Sequence, residues 1–271
     1  LAGMTMVTIA DPDTMLAPAP DGTPASEDFI ANTLGDCFVP QILYATMFAY
    51  NKEAFPEGGP TNIAEIFDTE KFPGVRALEK IPQKNLEWAR IADGVSHEDV
   101  YDVLATKEGQ DRAFAKLDAM KDSIIWWDAG AQPPQLLADG EVTIASAYNG
   151  RIFNAQVNED QPFNIVWDGQ MFEADGWVIP VDTGKEELIK EFVYFATDTQ
   201  RLADQTKFIA YAPARKSSIP LIGKHEATGV EMMQHMPTAP ENFEGAIRFN
   251  VEFWADYGDA LEERFDAWLS S

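Results

Sequence analysis

The sequence predicts a two-lobed α/β protein. Three observations lead there. Strand-like and helix-like segments alternate along most of the chain, one apolar segment is too long for an ordinary strand and suits a passage between two bodies, and 271 residues with 45% hydrophobic content suffice for one large domain or two lobes with real cores.

Each element follows from its residues. Residues 8 to 26 (TIADPDTMLAPAPDGTPAS) are rich in Pro, Asp, Ala and Gly and read as an extended connector. Residues 37 to 50 (CFVPQILYATMFAY) are β-branched and aromatic and form the long crossing strand. Pro60 and Thr61 open a short helix that a turn at Phe72-Pro73-Gly74 closes off. Residues 85 to 93 are helical and stop at Gly94, after which Ser96 and Asp99 make a capping box for the next helix. Residues 108 to 121 set Ala113, Phe114, Leu117 and Met120 on one helical face. Residues 123 to 127 are a buried strand, and Pro133-Pro134 and Gly140 bracket the short helix that follows it. A strand over 141 to 147 ends at Tyr148-Asn149-Gly150, and another over 163 to 167 turns at Asp168-Gly169 into a fourth over 173 to 180. The rest is helical, over 185 to 196, 199 to 207 with Thr199 as cap, and 251 to 269, with a short strand or loop at 209 to 214 that exposes Tyr211. On the last helix Trp254, Tyr257, Leu261, Phe265 and Trp268 recur at helical spacing and read as core.

Composition narrows the chemistry. Asp and Glu number 45 against 20 Lys and Arg, a net charge of -25 that repels nucleic acid and anionic lipid and attracts cations, although solubility alone accounts for it equally well. The one cysteine, Cys37, excludes an internal disulfide and any multi-Cys metal site, and His97, His225 and His235 are scattered, so no metal and no cofactor is expected. No run approaches the roughly 18 apolar residues that span a bilayer. Residues 1 to 15 show neither the positive stretch nor the cleavage pattern of a secretory signal, which a mature secreted protein lacks in any case.

Residues 124 to 180 hold the most informative chemistry. Trp126, Trp127, Tyr148, Phe153, Trp167, Phe172 and Trp177 lie among Asp128, Glu173 and Asp175. An ammonium over an aromatic face gains roughly 0.5 to 2 kcal/mol while a carboxylate takes its hydrogen bonds, so this mixture suits an organic cation. For any single ring the plainer reading is core. The loop after residue 127 brings backbone N–H groups and the Gln132 side chain to a helix start beside a strand end, where open α/β sheets bind ligands. Glu173 and Asp175 face one side of a strand and are too close to flank a scissile bond, and no Ser-His-Asp or Cys-His setting occurs, so a carbohydrate-active enzyme is the least favoured reading.

From Gly35 to Leu269 the chain resembles the spermidine/putrescine-binding proteins of bacterial ABC importers, within the family 1 extracellular solute-binding proteins. The matching segments are YATMFAYN, LLADGEVTIASAYNGRIF, FEADGWVIP, FIAYAPAR and the acidic-aromatic C-terminal helix. The resemblance implies a type II periplasmic binding fold, two α/β lobes joined by crossing strands with the solute clamped in the cleft, and no catalysis. It implies a periplasmic location, an ABC permease in the inner membrane as partner, and a polyamine, putrescine or spermidine, as ligand. Tyr148 stands where the family lays a ring against the polyamine, Asp175 where it keeps the amine-receiving acid, and Tyr211 where a tyrosine lines the cleft. Trp127 and Gln132 complete the candidate set with Glu173, which stands where a tryptophan is common. Where some members carry acids for the second amine, this chain has Gln83, Lys84 and Asn85, leaving Glu79 or Glu87 to supply one. The same fold binding another small amine, an amino acid derivative or an aminophosphonate is the alternative; Lys84, Arg151 and Arg248 suit an anionic group.

Against that family the expected organisation is a connector and partial lobe 1 over 1–46, lobe 2 over 47–177, a return to lobe 1 over 178–215 and a C-terminal helical segment over 216–271. Lobe 1 is expected to lack its N-terminal part, so that an N-terminal segment or a second chain would complete it. Cys37 then has either a disulfide partner in that part or the role of a small buried apolar residue.

Overall fold

In the computed structural model, residues 5–9, 11–30 and 33–271 are described; Ala10, inside the expected connector, lies outside them. The chain forms two compact units. One comprises the described residues up to Tyr44 together with Glu173–Ala239, the other Ala45–Phe172 and Pro240–Ser271. Among the described residues the seven strands are β1 (Val39–Asn51), β2 (Arg76–Glu79), β3 (Ile124–Trp127), β4 (Ile144–Tyr148), β5 (Phe163–Trp177), β6 (Ala212–Pro213) and β7 (Ile247–Arg248). Their order is β3-β2-β4-β1-β5-β7, with β6 paired to β1.

The larger unit is an α/β layer around β2, β3, β4, β7, β1 from Ala45 and β5 up to Phe172. Strand β2 runs parallel to β3 and β4, and β1 runs antiparallel to β4 with Thr46 opposite Tyr148. Alternation along β1 serves two cores. Phe48 and Tyr50 enter a cluster with Trp88, Leu86 and Phe265, while Met47 and Ala49 enter one with Trp127, Leu137 and Phe163. The smaller unit has its own core of Leu16, Ala25, Phe29, Val39, Ile179, Val193 and Ala214. Its first residues are not a plain extended connector: Pro12–Met15 and Ala25–Asp28 each form a helical turn. Cys37 is half-buried and unpaired.

Several further expectations change. The two strands read on either side of Asp168-Gly169 are one strand, β5, of 15 residues. Asp-Gly favours a turn locally, but here Gly169 takes φ +66° within the strand, Asp168 accepts the Ile63 N–H at 2.8 Å, and the Trp88 indole donates to the Gly169 carbonyl at 2.8 Å. A Cβ at Gly169 would lie 2.4 Å from Ile63 Cγ1, so the glycine serves close packing and not a hairpin. A helix over Asn149–Asn158 follows Tyr148, where the sequence reading placed only a strand end. Helix Thr199–Gln205 is capped by Asp198, whose carboxylate accepts from Gln200 and Arg201, and not by Thr199. The C-terminal helix, Val251–Leu269, buries Trp254, Leu261 and Phe265, but Tyr257 and Trp268 are only half-buried because their rings lie at the margin of the helix–core contact.

Candidate functional site

In the larger unit, the ends of β2, β3 and β4 bring candidate groups together. Arg76 starts β2; wholly buried, it donates to the carbonyls of Gly74 (2.6 Å), Phe72 (2.5 Å) and Ile66 (3.2 Å) and so pins the loop that leads into the strand. At the other end of β2, Asn85 donates to the carbonyls of Glu79 (2.8 Å) and Ile81 (2.6 Å), tightening the connection to helix Asn85–Ala92. The result places Glu79 and Lys84 side by side, with Lys84 Nζ 3.7 Å from Glu79 Oε2. Tyr148, at the end of β4, donates its hydroxyl to Glu79 Oε1 at 3.1 Å. Lys84 Nζ lies 6.0 Å from the ring centroids of both Tyr148 and Phe249. Only 6% of Lys84 is exposed. A buried ammonium flanked by two rings and a carboxylate is a charge-recognising arrangement.

Tyr148 is held from behind. Its ring packs edge-on to Trp127 at 5.7 Å and 85°, and a Cβ at Gly130 would come 2.7 Å from Tyr148 Cε2, so the loop after β3 needs glycine where the ring lies. Trp127 is 1% exposed and donates its indole N–H to Ser146 at 3.2 Å, which makes it the support of Tyr148. Gln132 is exposed; its side-chain oxygen accepts the N–H groups of Asp128 (2.9 Å) and Ala129 (2.8 Å), bracing that loop.

In the smaller unit, Glu173 and Asp175 follow one another on one face of β5, Glu173 half-buried and Asp175 exposed. Burial around the base of Asp175, and then the Glu173 charge, push the Asp175 carboxyl above its ordinary range. Tyr211 is half-buried, 6.0 Å from the ring of Tyr44 at a tilt of 56°. The six sequence candidates therefore divide three and three: Trp127, Gln132 and Tyr148 in the larger unit, Glu173, Asp175 and Tyr211 in the smaller.

Residues 2–237 match the model of the bacterial extracellular solute-binding protein family. The chain belongs to that family. As a solute-binding protein it is 41% identical over 255 residues to the γ-aminobutyric acid-binding protein of Pseudomonas aeruginosa, covering 94% of this chain and 70% of the relative. Among solved structures it is similar to MotA of A. tumefaciens B6 in complex with glucopine, with a TM-score of 0.80, 30% identity and coverage of 94% and 77% of the two chains. A solved GABA receptor matches with a TM-score of 0.80 at 27% identity, covering 98% of this chain and 76% of the other. The two-lobed periplasmic-binding α/β fold is thereby shown, and the solute-binding protein is not an enzyme. Among the described residues no helix is long and apolar enough to cross a membrane.

Two groups escaped the candidate set. Phe249, in the segment after β7, has no local pattern that marks it, because only the packing of that segment brings it to Lys84. Tyr44 could have been found: on β1 it shares a face with Ile42, two residues away, just where the strand leaves the smaller unit.

Proposed function

We propose that this solute-binding protein serves a bacterial ABC importer in the periplasm, handing a small zwitterionic amine of the ω-amino acid class to an inner-membrane permease. γ-Aminobutyrate is the member named for two relatives. The observation that carries this reading is Lys84, buried beside Glu79, Tyr148 and Phe249 where the family resemblance sets an acid for the second amine of a polyamine. A diamine would bring a second ammonium toward a cation whose carboxylate, Glu79, is already taken by Lys84 and the Tyr148 hydroxyl. An amino acid brings a carboxylate instead. Lys84 and Tyr148 are assigned to that carboxylate; the family resemblance assigns an ammonium to Asp175. Trp127 and Gln132 support them. Putrescine or spermidine is the second reading, favoured by the paired acids on β5.

Titration calorimetry with γ-aminobutyrate, other ω-amino acids, putrescine and spermidine tests the assignment. The expected result is tight binding of an ω-amino acid and at least about a hundredfold weaker binding of either polyamine, a gap of about 2.7 kcal/mol. Tight binding of putrescine with no response to any amino acid would overturn it. Lys84→Met is expected to weaken the amino acid by about 1.5 to 3 kcal/mol, the range of a charge-assisted hydrogen bond, and to leave putrescine unharmed or improved.

Asp175→Asn probes the other charge. It is expected to weaken the same ligand by about 1.5 to 3 kcal/mol with little change in stability, because the residue is exposed. Unchanged affinity in the calorimeter would remove Asp175 from the site.

A further inference from the structure

Lys84 enters helix Asn85–Ala92 in a backbone conformation that side-chain-bearing residues seldom adopt, φ 70° and ψ -45°. Such a conformation persists only when its surroundings over-determine it. Three residues on stands Glu87, wholly buried in the larger unit. Its Oε1 accepts the Trp254 indole N–H at 2.8 Å, while its Oε2 is buried without a hydrogen-bond partner among the described residues.

We propose that Glu87 is the positioning residue that sets Lys84 for solute: its buried carboxyl fixes the aromatic wall beside the Lys84 ammonium. The wall is reached through Trp254, whose ring is parallel to that of Phe249 within 1° at 6.4 Å, and Phe249 is the ring 6.0 Å from Lys84 Nζ. Tyr101 adds a second tie, accepting the N–H of Asn250 at 3.1 Å, the residue that caps the helix carrying Trp254. Burying a carboxyl is unfavourable compared with an apolar side chain of the same size. Glu87 is buried where it holds Trp254, which lies parallel to Phe249 beside Lys84. It touches no solute; it acts through Lys84.

This rests on the reading that Lys84 meets the solute, and the test separates the two. In the full chain, Glu87→Gln keeps a carbonyl acceptor for the indole, while Glu87→Met fills the same space without one. Reductive ¹³C-methylation of lysines, with Lys84 assigned through Lys84→Arg, reports the Lys84 environment by NMR without any solute, and calorimetry with γ-aminobutyrate reports the site. The Met variant is expected to shift the Lys84 resonance and to weaken γ-aminobutyrate about tenfold, the loss of one hydrogen bond's worth of positioning, while the Gln variant recovers the wild-type resonance and most of the affinity. Trp254→Phe removes the indole donor together with part of the ring and is expected to move the Lys84 resonance in the same direction, which covers the case in which Glu87→Met does not fold. A wild-type Lys84 resonance in the Met variant, or in Trp254→Phe when the Met variant is unfolded, would overturn the proposal. Failure of the wild-type protein to bind γ-aminobutyrate would instead overturn the functional reading, and the solute-free resonance would still decide the role of Glu87.

Discussion

Asp28→Ala is expected to destabilise the smaller unit by about 3 to 5 kcal/mol, the cost of leaving a buried charge without its partner. Arg215 is wholly buried and Asp28 is 3% exposed. The Arg215 guanidinium donates to Asp28 Oδ2 at 3.2 Å and lies 4.6 Å from the ring centroid of Phe29. Burial alone lowers the Arg215 pKa, and the Asp28 charge opposes that shift, which keeps the guanidinium charged. Asp28 also accepts the N–H of Ser217 at 2.9 Å and its hydroxyl at 2.6 Å. One carboxylate thus ties the first helical turns of the chain to the segment after β6. Replacing both members, Asp28→Leu with Arg215→Met, is expected to recover most of the loss, since well-packed apolar pairs often equal buried ion pairs. Hydrogen exchange at Ala214 and Ser218, whose amides bond to Gln41 and Arg215 carbonyls, would localise the effect. Unchanged protection there in Asp28→Ala would show that the pair contributes little.

The larger unit is expected to lose about 3 kcal/mol of stability as pH rises from about 4.5 to about 7, through Glu87 alone. Burial pushes the Glu87 carboxyl from its ordinary 4.5 up to about 7, and the hydrogen bond from the Trp254 indole only partly offsets this. Below about 4.5 the carboxyl is neutral in both folded and unfolded chains, so its contribution is fully present. Between the two values the unfolded chain ionises while the folded one holds its proton, and stability falls; above about 7 both are ionised and the loss is complete. A difference of roughly 2.5 pK at about 1.4 kcal/mol each gives the size of the effect. The other carboxylates slope differently with pH, so the measurement is the difference between wild type and Glu87→Gln in urea unfolding at pH 4.5 and pH 8. That difference should shift by about 3 kcal/mol in favour of the Gln variant at the higher pH. Parallel pH profiles for the two proteins would mean that Glu87 titrates as an ordinary acid.

Much of the fold was legible because the forces that make it are local. The C-terminal helix was read to its observed limits from apolar residues every three or four positions. The long crossing strand was legible in its β-branched and aromatic run, and the stop at Gly94 was legible in a residue that tolerates φ +92°. Asp168-Gly169 misled because its turn preference is real; what straightens it into β5 is the Ile63 amide and the Trp88 indole, groups 105 and 81 residues away.

The candidate site divides along the same line. From the sequence alone came the α/β class, the concentration of rings and acids between residues 124 and 180, and Tyr148 at a strand end, all of them readable from composition and period. Tertiary structure decided which ring is buried and which is not: Trp127 and Tyr148 look alike in sequence, but the first is 1% exposed and packs edge-on to the second, which reaches Glu79 with its hydroxyl. It also placed Lys84, which the sequence offers both as a lysine where an acid would serve a polyamine and as a partner for an anionic group, 3.7 Å from Glu79 and nearly buried. Charge recognition depends on distances of a few ångströms between groups on different elements, Glu79 on β2, Tyr148 on β4 and Phe249 beyond β7. Those distances are set by packing, which no local pattern of residues encodes.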